Sequence, residues 1–128
     1  TKEEMKMVWE TQKILADETV LVNPTAVRVP VFYGHSESIH LETRSPISAD
    51  EVRGLMRHAQ GVTLVEDEED YPTPVSDSAG HDDVFVGRVR EDISHMSGIN
   101  MWVVGDNIRK GAATNSVQIA ELLIERYL

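Results

Sequence analysis

The spacing of apolar residues changes several times along the chain, and this alternation constrains the fold more than any other feature. Apolar residues recur every three or four positions near the start, in the middle and at the end, which predicts three helices. Between the helices, five short segments alternate apolar with other residues or are rich in valine, as strands are. This irregular order predicts an α+β fold: a mixed, largely antiparallel sheet flanked by helices, ending in a long C-terminal helix.

The three predicted helices begin where a capping residue is followed three positions later by Glu or Gln. These pairs are Thr1 with Glu4, Ser48 with Glu51, and Asn115 with Gln118. The predicted strands cover residues 26–31, 35–44, 62–65, 84–90 and 99–104, with a bulge or turn at Tyr33 and Gly34. Residues 71–83 are rich in Pro, Gly, Ser and Asp, which predicts a long loop of the kind that is often functional or interfacial.

Composition excludes several classes of protein. The 128 residues fit one domain, and their net charge of −10 with no basic patch argues against nucleic-acid binding. The sequence contains no apolar run of about 18 residues, so no membrane span is predicted. The acidic run at 66–70 lacks the spacing of a calcium loop and predicts a solvated loop. With no cysteine, the chain cannot supply disulfides or a catalytic thiol.

His35 and His40 flank Glu37 and leave open a metal-dependent hydrolase. However, a spacing of five on a strand directs the two rings to opposite faces, so no metal site is predicted. His35 follows Gly34, where the backbone can turn a side chain into a cleft. It is either an acid/base catalyst or an ordinary histidine.

Charged residues at three other places could bind a ligand. Arg28 lies among valines, where its guanidinium forms either a structural ion pair or a two-pronged contact with a carboxylate. Glu3 and Lys6 lie one helical turn apart and could simply pair with each other. Residues 106–113 combine polar, basic and small side chains before a helix, as at an anion site. The alternative for 106–113 is a tight connection packed against a neighbouring domain.

Together these stretches resemble the C-terminal part of bacterial aspartate-semialdehyde dehydrogenases, over essentially the whole chain. The matching blocks are TKEEMKMVWETQKIL, AVRVPVFYGHSESIHLE, VFVGRVRED and WVVGDNIRKGAATNSVQIAELL. The resemblance implies that His35 is the acid/base catalyst that serves a cysteine thiol, and that Arg28 holds the α-carboxylate of the substrate. It further implies that Glu3 contacts the α-amino group and Lys6 the phosphate. Asn107 matches a position that touches NADP, where some members carry Gln.

The implied reaction is the reversible NADPH-dependent reduction of aspartyl β-phosphate to aspartate semialdehyde and phosphate through a cysteine thioester. It belongs to the biosynthesis of lysine, methionine, threonine and diaminopimelate. In the family, the nucleophilic cysteine and the nucleotide-binding loop lie earlier in the chain. Residues 1–128 therefore resemble the C-terminal part of the catalytic and dimerisation domain. Residues 112–128 would form a terminal helix that packs on an NADP-binding domain outside this chain.

The same resemblance implies a cytoplasmic homodimer or homotetramer, in which this stretch alone is inactive. The alternative is a non-catalytic dimerisation module or a paralogue of the same family.

Overall fold

A computed structural model of the chain describes residues 1–67 and 69–128. Internal contacts divide these residues into two units, Thr1–Pro30 and Val31–Leu128. The first unit contains helix α1 (Lys2–Leu15), whose amino end is closed by the predicted capping box between Thr1 and Glu4. The helix ends at Ala16, which adopts a left-handed conformation with φ of 51°. The first predicted helix is therefore confirmed.

The strand predicted over residues 26–31 is wrong. Among the described residues this segment forms no strand, and the backbone N–H of Ala26 donates instead to the Glu4 carboxylate at 3.0 Å. The physical reason lies in Pro24 and Pro30, which flank the alternating valines and have no N–H to contribute to a ladder. Arg28 consequently lies outside any sheet.

The second unit is built on a four-stranded sheet with the order β1-β4-β3-β2. The strands are β1 (His35–Glu42), β2 (Val62–Leu64), β3 (Val84–Glu91) and β4 (Gly98–Gly105). β4 pairs antiparallel with both β1 and β3, whereas β2 runs parallel to β3. The predicted mixed, largely antiparallel sheet is confirmed, as are four of the five predicted strands.

Helix α2 (Ala49–His58) covers one face of the sheet because its apolar residues lie on one side. The predicted capping box between Ser48 and Glu51 closes its amino end. The buried core joins two residues of the helix to four of the sheet: Ala49, Val52, Val86, Val89, Ile99 and Met101.

The segment 71–83 covers part of the opposite face. The Trp102 indole on β4 donates to the carbonyl of Pro72 at 2.9 Å, and Ser78 is completely buried. The segment is the predicted long connection, but it also contains a single π-helical turn, Pro74–Ser78. Its amino end is capped by the side chain of Thr73, which accepts from the Ser76 N–H. This local hydrogen bond explains why a segment with the composition of a loop forms a helical turn.

The C-terminal helix α3 (Thr114–Tyr127) is preceded by another π-helical turn, Arg109–Ala113. Because helical backbone starts upstream, Asn115 lies inside the helix and the capping pair predicted there is wrong. The Gln118 side chain instead accepts a hydrogen bond from the Lys110 ammonium at 2.7 Å. The long terminal helix itself is confirmed.

The acidic run is a solvated segment where it is described: Glu66, Asp67, Glu69 and Asp70 are all exposed, and Glu68 lies outside the described residues. The Arg57 guanidinium pairs with Glu66 and lowers the pKa of that carboxyl. No helix in the described part of the chain has the length and hydrophobicity needed to cross a membrane.

Candidate functional site

A cavity of about 150 Å³ lies in the second unit, where β1 begins and β4 ends. We call it the strand-end cavity. Its walls come from both strands, from β3 and from the residues after β4: His35, Glu37, Val84, Val103, Gly105, Asp106, Asn107, Lys110 and Gly111. Two residues predicted from the sequence, His35 and Asn107, thus meet in one cavity although they are far apart along the chain.

His35 is the first residue of β1 and pairs with Gly105 at the end of β4. Glu37 shares its face of the strand, because side chains two positions apart point the same way. The His35 side chain is exposed, and no described residue forms a hydrogen bond with its ring. Both ring nitrogens are therefore available to exchange a proton with a ligand or with another side chain.

The backbone directly before His35 is tightly constrained. Gly34 has a φ of 76°, a left-handed conformation that favours glycine. A Cβ at this position would lie 2.9 Å from the Gly105 carbonyl oxygen and 3.0 Å from Cβ of Pro74. The Gly34 N–H also donates to the side-chain oxygen of Asn107 at 3.1 Å. The chain bends at Phe32 and Tyr33 just before Gly34, so the predicted interruption before the strand is confirmed, and this geometry fixes where β1 starts.

Asp106 organises the loop that carries Asn107. This buried carboxylate accepts the backbone N–H groups of Gly80 at 2.9 Å, Ile108 at 2.9 Å and Arg109 at 3.1 Å. These bonds, with that of Gly80 the strongest contributor, hold the pKa of Asp106 below its usual range. The loop is therefore held in place by a carboxylate of the protein itself.

The carboxylate of Asp82 lies beside the amino end of α3. Asp82 accepts two hydrogen bonds from the Arg109 guanidinium, at 2.7 and 3.1 Å, and one from the Thr114 hydroxyl at 2.7 Å. The guanidinium and then the hydroxyl lower the pKa of Asp82 to about 2. The positive end of the helix, which the sequence predicted as an anion site, thus has a carboxylate of the chain beside it.

The other three predicted residues belong to the first unit. Glu3 and Lys6 lie on successive turns of α1, with 3.8 Å between carboxylate oxygen and ammonium nitrogen, and both are solvent-exposed. Arg28 is exposed and forms no ion pair with the described residues of its unit. It follows Ala26 by two positions, and Ala26 is hydrogen-bonded to Glu4 on the first turn of α1. Because both side chains are exposed, the guanidinium of Arg28 and the ammonium of Lys6 are accessible to an anion.

His40 lies on the opposite face of β1 from His35, as predicted. Its ring contacts Glu42 and Asp92, each at 3.4 Å, and Asn100 at 3.3 Å. These partners, Glu42 first, raise the pKa of His40. In the described part of the chain, no group of three or more His, Asp or Glu side chains is arranged to hold a metal ion. The rings of His35 and His40 do not converge, because they lie on opposite faces of β1.

Sequence reasoning missed two features of the strand-end cavity. It placed Lys110 in a site-like stretch but assigned it no role, although Lys110 lines the cavity. It also missed the bond between Asn107 and Gly34, which are 73 positions apart. The only signal for the first was the basic character of residues 106–113. No local pattern could have revealed the second.

Comparison with known proteins identifies the family of the chain. Residues 1–110 match the family described as semialdehyde dehydrogenase, dimerisation domain. The aspartate-semialdehyde dehydrogenase of Shewanella violacea is 68% identical over 127 residues, which are 99% of this chain and 38% of that protein. Aspartate semialdehyde dehydrogenase II from Vibrio cholerae, solved in complex with ASA, has 62% identity and a TM-score of 0.96, covering 100% of this chain and 38% of that one.

A more distant enzyme has the same fold. Aspartate semialdehyde dehydrogenase from Candida albicans, solved with NADP, is 31% identical, with a TM-score of 0.74 over 96% of this chain and 42% of that one. The chain spans about two fifths of the length of these relatives. It belongs to the semialdehyde dehydrogenase dimerisation-domain family.

Proposed function

We propose that the chain is the C-terminal part of an NADP-dependent aspartate-semialdehyde dehydrogenase and supplies its acid/base histidine and its substrate-binding side chains. The reaction is the reversible reduction of aspartyl β-phosphate to aspartate semialdehyde with release of phosphate. The observation that carries this proposal is the strand-end cavity, where His35 has two available ring nitrogens beside Asn107 and Lys110. A histidine in this state can both accept and donate a proton.

His35 acts on a thiol from outside this chain, because the chain contains no cysteine. One ring nitrogen accepts the thiol proton while sulfur attacks the acyl phosphate, so that a C–S bond forms, a C–O bond breaks and phosphate leaves. When bound, NADPH supplies the hydride that reduces the thioester. His35 then returns its proton to the departing sulfur.

The charged side chains of the first unit match the groups that the substrate carries. Arg28 holds the α-carboxylate, for which the planar guanidinium offers two parallel donors. Glu3 contacts the α-amino group and Lys6 the phosphate. The exposure of all three supports this assignment, since each can exchange water or a weak surface pair for a ligand.

The residues present fit part of a dinucleotide site. Asn107 has a side-chain NH₂ with no partner among the described residues, Lys110 contributes a cation to the cavity wall, and Gly111 leaves room for close approach. Amide donors and cations are the groups that hydrogen-bond to a carboxamide or neutralise a phosphate. Asn107 would contact NADP, most of which binds outside this chain.

The remaining assignments concern assembly and location. Helix α3 contains no buried residue, and its exposed apolar side chains include Val117, Leu123 and Ile124. This supports the packing of residues 112–128 on an NADP-binding domain. The match to a dimerisation domain supports a homodimer or homotetramer. The enzyme serves lysine, methionine, threonine and diaminopimelate biosynthesis in the cytoplasm.

A chimera tests the proposal. In it, this chain replaces the matching 127 residues of the Shewanella violacea enzyme, which supplies the rest of the polypeptide. We expect NADPH formation from aspartate semialdehyde, phosphate and NADP, and no activity from the 128 residues alone. A chimera that is folded and dimeric but inactive would contradict the proposal and support the alternative of a non-catalytic dimerisation module or paralogue.

Substitution of Arg28 tests the assignment of the carboxylate. In the chimera, Arg28→Lys keeps the charge but loses the planar pair of donors, so KM for aspartate semialdehyde should rise about tenfold or more. Arg57→Lys is the matched control, because Arg57 lies exposed on α2, away from the residues assigned to substrate or cofactor. It should leave KM unchanged. An unchanged KM in Arg28→Lys would remove Arg28 from the binding site.

A further inference from the structure

The side chain of Asn107 and the backbone of Gly34 form a hydrogen bond beside the strand-end cavity. The Gly34 N–H donates to Oδ1 of Asn107 at 3.1 Å. Because a backbone N–H can only donate, the oxygen of the amide must face Gly34. The orientation of the side chain is thereby fixed, and its NH₂ group is left for another partner.

Gly34 in turn determines where His35 lies. It adopts a left-handed φ of 76° and packs against the end of β4, where an added Cβ would lie 2.9 Å from the Gly105 carbonyl oxygen. His35 follows directly and pairs with Gly105 in the sheet. A residue that holds the Gly34 N–H therefore holds the backbone from which the His35 ring projects.

The anchor on the other side of this bond is itself rigid. Asp106 precedes Asn107 and accepts backbone N–H groups from Gly80, Ile108 and Arg109. Three bonds to one buried carboxylate leave the loop little freedom to move. A continuous path of contacts thus runs from Asp106 through the loop and the Asn107 amide to Gly34 and His35.

We infer that Asn107 is a positioning residue for His35, in addition to any contact with the cofactor. Its oxygen holds Gly34 and so sets the direction of the His35 ring, while its NH₂ group remains free to donate to an acceptor of the cofactor. The inference rests on the proposed role of His35 as the acid/base catalyst. It assigns the positioning of His35 to the amide oxygen of Asn107 and the contact with the cofactor to its NH₂ group.

Two substitutions in the chimera distinguish the two atoms. Asn107→Ala removes both, whereas Asn107→Asp keeps an acceptor for Gly34 and loses the donor. At saturating NADP, Asn107→Ala should lower kcat about tenfold, as expected when a productive geometry is lost. Asn107→Asp should keep kcat within about threefold of the unsubstituted chimera and raise KM for NADP about tenfold, because a carboxylate cannot donate and repels phosphate.

Asn100→Ala is the matched control. Asn100 also contacts a β1 residue through its side chain, but its partner is His40 on the face opposite the cavity. It should leave kcat and both KM values unchanged. Amide hydrogen exchange, measured on the peptide that contains Gly34, reports the hydrogen bond without any turnover. Asn107→Ala should accelerate this exchange about tenfold, and Asn107→Asp and Asn100→Ala should not.

The outcomes separate this inference from the proposed function. Normal kcat in Asn107→Ala with only a raised KM for NADP would overturn the positioning role, as would equal loss of kcat in Asn107→Ala and Asn107→Asp. Unchanged exchange at Gly34 in Asn107→Ala would overturn it as well. An inactive but folded chimera would instead refute the proposed function, and the exchange measurement would then decide whether Asn107 holds Gly34.

Discussion

His35 and His40 occupy the same strand, but their surroundings differ. His35 lines the strand-end cavity, and no described residue forms a hydrogen bond with its ring. His40, on the other face, contacts Glu42, Asp92 and Asn100. These partners, Glu42 first, stabilise the protonated ring and so raise the pKa of His40.

The difference shows how a histidine that could act in catalysis is distinguished from one that contributes to the structure. A ring whose nitrogens already have partners must break those contacts before it can take a proton from a substrate or thiol. A ring with available nitrogens beside a cavity has no such cost. The sequence placed the two rings on opposite faces, but only the contacts show which ring has hydrogen-bond partners.

The largest expected effect follows from replacing each of the two histidines by alanine. In the chimera, His35→Ala should lower kcat about 10²- to 10⁴-fold, the usual contribution of a positioned acid/base group. His40→Ala removes a ring of the same size from the same strand and should keep kcat within about twofold. Steady-state kinetics at saturating substrates measures both. A similar fall in kcat in the two variants would show that the different surroundings of the two rings do not determine which of them acts in catalysis.

A smaller effect is expected from Gly34→Ala, which disturbs the start of β1 and leaves His40 alone. A left-handed alanine costs roughly 1–2 kcal/mol, and the new Cβ would also press on Gly105 and Pro74. We expect kcat to fall about tenfold as His35 shifts. The matched control is Gly80→Ala, because Gly80 has a φ of 81° but open space around it.

Gly80→Ala therefore has the same conformational cost without the close contact, and its backbone N–H can still donate to Asp106. Its kcat should stay near that of the unsubstituted chimera, and its thermal midpoint should fall by no more than that of Gly34→Ala. If kcat fell equally in the two variants, the strained backbone alone, rather than the close approach of the new Cβ to Gly105, would account for the loss of kcat.

The sequence was sufficient for two of the three helix starts, where the structure depends on neighbours along the chain. The capping boxes at Thr1 and Ser48 predicted two helix starts, because both partners of each box lie within one turn. Short stretches rich in apolar residues predicted β3 and β4. The alternation of valines failed at Arg28, because a strand also needs a partner that no local pattern can guarantee.

The candidate site was predictable in its residue types but not in its connections. His35 stood out because it follows a glycine, and residues 106–113 because they mix basic and small side chains. The bonds from Asp106 to Gly80 and from Asn107 to Gly34 join distant parts of the chain. Such contacts arise only once the sheet has aligned β1 with β4, so they cannot be read from spacing.

The smallest expected effect concerns His40 and the pH dependence of stability. Because the folded pKa of His40 is raised, its contribution to stability is fully present below the unfolded pKa and is lost as pH rises through the folded value. His40→Gln should therefore lower the thermal midpoint of the chimera more at about pH 5.5 than at about pH 8.5, on either side of the ordinary histidine pKa of about 6.5. His58→Gln is the control, since no described residue forms an ion pair with His58 on α2. A pH-independent difference in His40→Gln would show that Glu42 and Asp92 do not hold the proton on this ring.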